Sequence, residues 1–265
     1  MGILNVTPDS FYDGGKNIKP ADALLHTEQM LKAGADIIDV GGMSTRPGAE
    51  TVSADLEMMR IIPVLQEIKK QFPECWVSVD TVHARTAQAA IDCGADIIND
   101  ISAGAMDNGM TEVIANTKVP YIIMHMQGTP QTMQQAPQYD KVMESVFSFF
   151  IEKLTLLKEK GVHDVIIDPG FGFGKTVEHN YQLAANLQQF TLLGKPVLVG
   201  ISRKSMICKL LKVHPENALN GSTALHALLL LQGADILRVH DVKEAKEVVQ
   251  IVNALALHKD TSASE

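Results

Sequence analysis

Short apolar runs and longer amphipathic stretches alternate along the chain. Four of the runs share one form: Gly34-Ala-Asp-Ile-Ile-Asp39, Gly94-Ala-Asp-Ile-Ile-Asn99, Gly161-Val-His-Asp-Val-Ile-Ile-Asp168 and Gly233-Ala-Asp-Ile-Leu-Arg238. Each glycine follows an amphipathic stretch, such as 21–33 or 84–93, and reads as a helix C-terminal cap. The apolar run after it reads as a strand buried on both faces, the pattern of a parallel sheet. Four more buried runs lie between these, at 2–6, 76–80, 121–125 and 196–202. Helical patterns, clearest at 54–71, 140–160, 221–232 and 241–258, separate successive strands, as parallel crossovers require. Eight strand–helix units in 265 residues predict an α/β protein of the (β/α)8 TIM barrel type, with residues 1–258 as one domain. An open doubly wound sheet is the alternative. Residues 259–265 are polar and are expected to be a disordered tail. The longest irregular stretches, 7–19, 43–53 and 126–139, each follow a strand and so belong on the catalytic face of a barrel.

The last residues of the predicted strands are polar: Asn5, Asp39, Asp80, Asn99 with Asp100, His125, Asp168, Ser202-Arg203-Lys204, and Arg238 with His240. Buried strands that end this way cost desolvation free energy unless a ligand or partner satisfies them. A site explains them better than a set of structural ion pairs. Asp80, Asn99 and Asp168 suit a flat heterocycle with an amino-amide edge. Arg46, Arg238 and His240, with Asn5, suit an anion, because guanidinium groups grip phosphate oxygens in a bidentate fork. A heteroaromatic ring carrying a phosphate or diphosphate follows.

Composition narrows the setting. With 46% hydrophobic residues, the chain can bury a core. No apolar run approaches the roughly 18 residues of a membrane span, and no basic segment with an apolar core opens the sequence as a secretion signal would. Met1-Gly2 fits myristoylation poorly, since position 6 is Val6. Cys75, Cys93 and Cys208 are odd in number and widely spaced, which fits core thiols in a reducing cytoplasm. A net charge of −8 argues against a nucleic-acid partner and makes the basic strand ends more informative.

Some motifs mislead. Gly174-Lys175-Thr176 ends like a phosphate-binding loop, but position 169 is Pro169 where that motif needs Gly. Met124-His125-Met126 suggests copper, although a packed strand-end His accounts for it. His26, His83, His163, His179, His214, His226 and His258 read as helix or surface residues.

At these positions the sequence resembles the dihydropteroate synthases. Met1-Gly-Ile-Leu-Asn-Val-Thr-Pro-Asp-Ser-Phe11 with Asp13-Gly-Gly15 looks like their opening signature, and Asp39-Val-Gly-Gly-Met-Ser-Thr-Arg-Pro-Gly48 like their second. Ser78-Val-Asp-Thr81, Ile98-Asn-Asp-Ile101, Met124-His-Met-Gln-Gly128, Asp168-Pro-Gly-Phe-Gly-Phe-Gly-Lys175, Gly200-Ile-Ser-Arg-Lys-Ser205 and Arg238-Val-His-Asp241 continue it in order. The resemblance implies a (β/α)8 barrel in which 4-aminobenzoate displaces diphosphate from (7,8-dihydropterin-6-yl)methyl diphosphate, giving 7,8-dihydropteroate. It implies that Asp80, Asn99, Asp168 and Lys204 hold the pterin. Asn5, Arg46, Arg238 and His240 would hold the diphosphate, with Asn5 beside a magnesium ion (Mg2+). Thr45, Pro47, Phe173, Lys204 and Ser202 would shape the aminobenzoate pocket. The catalytic set would be Asp168, Lys204, Arg46, Arg238 and His240, in a sulfonamide-inhibited homodimer.

Two departures stand out. Members of the family usually carry a strand or hairpin before the Met-Gly-Ile-Leu-Asn segment, plugging the barrel bottom, and position 43 is Met where many carry Glu. Two other readings share the ring contacts. A methyltetrahydrofolate–corrinoid methyltransferase has no diphosphate to hold, so the basic strand ends argue against it. A non-catalytic pterin-binding module has no need of the long loops at 7–19 and 43–53.

Overall fold

The computed structural model describes residues 1–7, 20–43 and 52–258. The tail expected at 259–265 lies outside the described residues. Among the described residues, eight strands alternate with helices: β1 (Gly2–Asn5), α1 (Pro20–Lys32), β2 (Ile37–Gly41), α2 (Ala54–Gln71), β3 (Trp76–Asp80), α3 (Ala84–Asp92), β4 (Ile97–Asp100), α4 (Met110–Thr117), β5 (Tyr121–Met124), α5 (Val142–Glu159), β6 (Val165–Asp168), α6 (Val177–Ala185), β7 (Leu198–Val199), α7 (Ser205–Leu211), α8 (Leu219–Leu231), β8 (Ile236–Leu237) and α9 (Val242–Leu257).

Strands β1 to β6 form one parallel sheet in chain order, and β7 pairs with β8. Parallel bridges Ile167–Val197 and Gly2–Val239 join the two sheets. At the second seam Ile3 donates to the Val239 carbonyl at 3.0 Å and Val239 donates to that of Met1 at 3.0 Å. The ring is therefore closed, as the (β/α)8 expectation requires, and the open sheet is excluded.

β7 and β8 are shorter than the apolar runs at 196–202 and 233–238 suggest. Pro196 has no N–H for the ladder, and the N–H of Val197 goes to Asp235 Oδ2 at 2.8 Å. The repeated Gly-Ala-Asp explains itself here. Gly34, Gly94, Gly161 and Gly233 all take positive φ after a helix, between 75° and 96°, where glycine has no Cβ penalty. In two of the repeats the Asp then caps a neighbouring strand: Asp235 as above, and Asp96 through the N–H of Val77 at 2.7 Å.

Strand side chains alternate between two faces. The outward set, including Leu4, Ile38, Val40, Val77, Val79, Ile98, Ile123, Ile167 and Val199, packs under the helices in the main core. Each such buried aliphatic contributes about 1.5–3 kcal/mol. The inward set divides by height. At the bottom Met1, Ile97, Ile122, Ile166 and Leu198 fill the barrel, with Ile37 and Ile236 packed against them. One turn of the pleat higher, the inward positions turn polar.

Candidate active site

Register aligns one side of that polar tier: Asn5 pairs with Gly41, Gly41 with Asp80, and Asp80 with Asn99. The ladder then steps down, Asn99 facing Ile122, and Asp168 stands beside Met124 one inward position further along its strand. Arg238 rises from the end of β8 and donates through Nε to Asp39 Oδ2 at 2.6 Å and through Nη2 to Asp80 Oδ2 at 2.9 Å. Asn99 Nδ2 donates to the same Asp39 oxygen at 3.3 Å, while Asp39 Oδ1 is buried without a hydrogen-bond partner. Two inward glycines leave room above. A Cβ on Gly41 would lie 3.7 Å from Asn5 Oδ1 and 3.6 Å from Asp80 Cβ; one on Gly200 would lie 3.8 Å from Lys204 Nζ.

The loop after β6 supplies the far wall. Gly170 has a φ of +72°, and a Cβ there would sit 1.9 Å from the His125 carbonyl, so only glycine lets the loop lie against β5. Its N–H donates to Asp168 Oδ1 at 2.8 Å. Lys204 Nζ donates to the Phe171 carbonyl at 2.6 Å and sits 4.7 Å from the centre of the Phe173 ring, within cation–π range. Ser202 Oγ lies 3.3 Å from both the backbone N and Nδ1 of His240, which leaves Nε2 for another partner.

Crowding tunes these groups. Burial raises Asp80 to about 7, with Arg238 pulling against it and Asp39 adding to it. Burial also raises Asp168, against the pull of Lys204 and the Gly170 hydrogen bond. Lys204 falls to about 8, by burial first, with Asp168 opposing. Arg238 stays a cation: burial works against its charge, but Asp39 and Asp80 outweigh it. His240 lines the mouth, where desolvation and then Arg238 and Arg203 lower it to about 4, so its ring is neutral at pH 7.

The barrel thus brings together Asn5, Asp80, Asn99, Asp168, Phe173, Ser202, Lys204, Arg238 and His240. Thr45, Arg46 and Pro47 lie outside the described residues, as do most of the 7–19 and 43–53 loops and Gly14, Gly15 and Gly48. Met43 is buried in an apolar cluster with Val82, Ile101 and Met124, against which Phe173 packs, a setting that suits Met better than a charged Glu.

Three strand-end residues do not belong to the site: Arg203, whose guanidinium donates to Asp241 Oδ2 at 2.9 Å and Oδ1 at 2.5 Å, and two on outward strand positions. Asp100 and His125 occupy outward positions, next in alternation to inward Asn99 and Met124. Asp100 accepts from Ser102 N, Ser102 Oγ, Gly104 N and Tyr121 Oη at 2.7–2.8 Å, and is a structural acceptor. His125 stacks edge-on to Phe149 at 5.0 Å and meets Lys175 Nζ at 3.0 Å; burial and then Lys175 lower it to about 3. Lys175 faces backbone carbonyls instead of an open phosphate cradle, in keeping with the failed phosphate-loop match. His226 is fully inside the fold, not at the surface, and burial lowers it to about 4. Of the thiols, Cys75 is buried while Cys93 and Cys208 are half-buried, and all three are free. Asp39, the anchor of Arg238, was legible only as one more polar strand end.

A model of the pterin binding enzyme family matches residues 1–240. The chain belongs to this family. It is 48% identical to the dihydropteroate synthase of Escherichia coli K12, over 100% of this chain and 94% of that one. The Yersinia pestis dihydropteroate synthase, solved as a sulfonamide drug complex, superposes with a TM-score of 0.92 at 45% identity, covering 97% of this chain and 93% of the other. The Xanthomonas albilineans dihydropteroate synthase with 4-aminobenzoic acid gives a TM-score of 0.90 at 40% identity, covering 96% and 92%.

Proposed function

We propose that the chain catalyses the dihydropteroate synthase reaction, condensing 4-aminobenzoate with (7,8-dihydropterin-6-yl)methyl diphosphate to give 7,8-dihydropteroate and diphosphate. The observation that carries this is the inward polar tier. It combines acceptors for a flat amino-amide ring with a held arginine and a neutral histidine at the mouth, in a family whose close relatives have this activity. Residues 1–258 act as one pterin-binding barrel domain in this reading.

Asp80, Asn99, Asp168 and Lys204 hold the pterin. Asp168 lies at the ring's edge and stabilises positive charge there. The exocyclic C–O bond breaks first, its electron pair leaving with the diphosphate, and the resulting cation is delocalised into the electron-rich dihydropterin. The neutral aryl amine adds to the CH2 carbon, and the proton it then carries passes to solvent. Arg238 and Arg46 offset charge on the departing diphosphate, and the neutral His240 ring donates a hydrogen bond to it. Thr45, Pro47, Phe173, Lys204 and Ser202 shape the aminobenzoate pocket, and the 7–19 and 43–53 loops exclude water that would trap the cation.

The donor set around Asn5 suits magnesium. Its amide oxygen is a hard donor beside space that a Cβ on Gly41 would fill, and Mg2+ is commonly held by one or two protein oxygens plus substrate phosphates. Asn5 would hold the ion, which when bound supplies charge neutralisation on the diphosphate. No helix among the described residues is long and apolar enough to cross a membrane, and we place the protein in the cytoplasm, where its free thiols stay reduced. Exposed Leu228 and Leu231 on α8, with Ile251 and Leu255 on α9, form the homodimer surface.

The test is diphosphate release by the purified chain with Mg2+, the pterin diphosphate and 4-aminobenzoate. Release that depends on aminobenzoate, with dihydropteroate formed in equal amount, is expected. A folded chain that binds pterin and releases nothing would overturn the reading.

A further inference from the structure

One buried cluster at the top of the barrel takes no part in the steps above. Lys175 is 3% exposed. Its Nζ meets the carbonyls of Gly170 at 2.8 Å, Phe173 at 3.0 Å and His125 at 3.2 Å, and Nδ1 of His125 at 3.0 Å. Carbonyl dipoles that converge on one point repel each other unless a donor sits between them, and an ammonium offers three N–H bonds for this. Two of the carbonyls belong to the loop after β6 and one to the end of β5. The ammonium therefore ties that loop to the strand.

The tie is unevenly needed. Asp168 is fixed without it: its carbonyl accepts from His125 N at 3.1 Å and its side chain from Gly170 N at 2.8 Å. The Gly170 carbonyl also accepts the N–H of Phe173 at 3.1 Å. For the Phe173 carbonyl, the bond to Lys175 is the anchor. Phe173 in turn places its ring against Lys204, whose Nζ is held by the Phe171 carbonyl in the same loop.

We propose that Lys175 is a positioning residue for the aminobenzoate side of the site, setting the Phe173 ring, while Asp80, Asn99 and Asp168 on the pterin side keep their geometry without it. The inference rests on the synthase reading above. Lys175→Met matches the side chain in length and removes the donor. Its KM for 4-aminobenzoate is expected to rise by about tenfold or more, with a smaller fall in kcat. The Kd of 6-hydroxymethylpterin, measured by calorimetry, should change by less than about threefold. Phe173→Leu should then raise KM less in the Lys175→Met background than in the wild type, because both changes act on one ring. Lys175→Gln, which keeps two N–H donors, should fall between wild type and Lys175→Met.

An unchanged KM in a folded variant would overturn the proposal, and so would equal losses of aminobenzoate and pterin affinity. Unfolding of both variants, read by circular dichroism, makes Lys175 a core residue and overturns it as well. A wild-type protein without aminobenzoate-dependent release fails the synthase reading instead, which separates the two outcomes.

Discussion

Two polar clusters sit at the same height of the barrel, one on each side of its wall. Inside are Asp39, Asp80, Asn99, Asp168, Lys204 and Arg238; outside are Asp100, Tyr121, His125 and Lys175. Both are buried or half-buried, and apart from Tyr121, which opens β5, both lie at or beyond the C-terminal ends of strands. They differ in what their polar atoms meet. The outer groups are saturated by the protein: Asp100 accepts four hydrogen bonds, and Lys175 serves four acceptors. The inner groups face a glycine-lined space and include an unpartnered acceptor, Asp39 Oδ1. A single step along a strand decides which role a residue has, because successive side chains point to opposite faces. Between these two clusters, buried charge alone does not mark the site; unspent hydrogen-bonding capacity beside glycine-lined space does.

The sharpest way to break this comparison is to cut each cluster at its centre. Asp100→Ala strips the acceptor from four donors and is expected to lower unfolding free energy by about 3–5 kcal/mol. Denaturant titration checks this, and KM values should remain near wild type at a temperature where the variant is folded. A large change in KM with little loss of stability would place Asp100 inside the site.

Asp168→Asn makes the opposite cut. Asn keeps an oxygen for Gly170 N–H and removes only the charge. Turnover should fall on the order of 100-fold, equivalent to about 2.7 kcal/mol of barrel-held transition-state stabilisation. Thermal unfolding should shift by only a few degrees. Near-normal turnover would remove Asp168 from the proposed mechanism.

The effect that is smallest at neutral pH concerns a third buried group outside both clusters. His226 in α8 is lowered to about 4 by burial, against the pull of Asp241. The unfolded chain, near 6.5, binds that proton first, so the folded state loses stability as pH falls from about 6.5 to 4. Replacing it as His226→Leu should flatten the stability curve over that window by about 1.4 kcal/mol per pH unit and leave it unchanged above pH 7. An unaltered acid limb, measured by denaturant titration at several pH values, would mean that His226 is not buried neutral.

Much of this was readable along the chain. The spacing of apolar runs located every strand, because burial on both faces leaves a continuous apolar signature. Helix α2 matches its expected 54–71 span residue for residue, and α5, α8 and α9 lie within two residues of theirs. The strands β7 and β8 were overdrawn, because apolarity marks burial whereas the ladder also needs N–H groups that Pro196 lacks and Asp235 diverts. Asp80, Asn99, Asp168 and Arg238 stood out as polar ends on apolar strands. Asp100 and His125 carried the same signal and meant something else.

Sequence alone determined that there are eight strand–helix units and that their C-terminal ends are polar, since both follow from local alternation and hydrophobic period. It also carried the family signatures. Tertiary structure alone decided which polar ends share one interior, because that depends on ring closure and register between strands far apart in the chain. The Arg238–Asp39 bond spans 199 positions, and no local pattern encodes it. The same holds for Lys175, whose motif resembled a phosphate loop until folding surrounded its ammonium with backbone carbonyls.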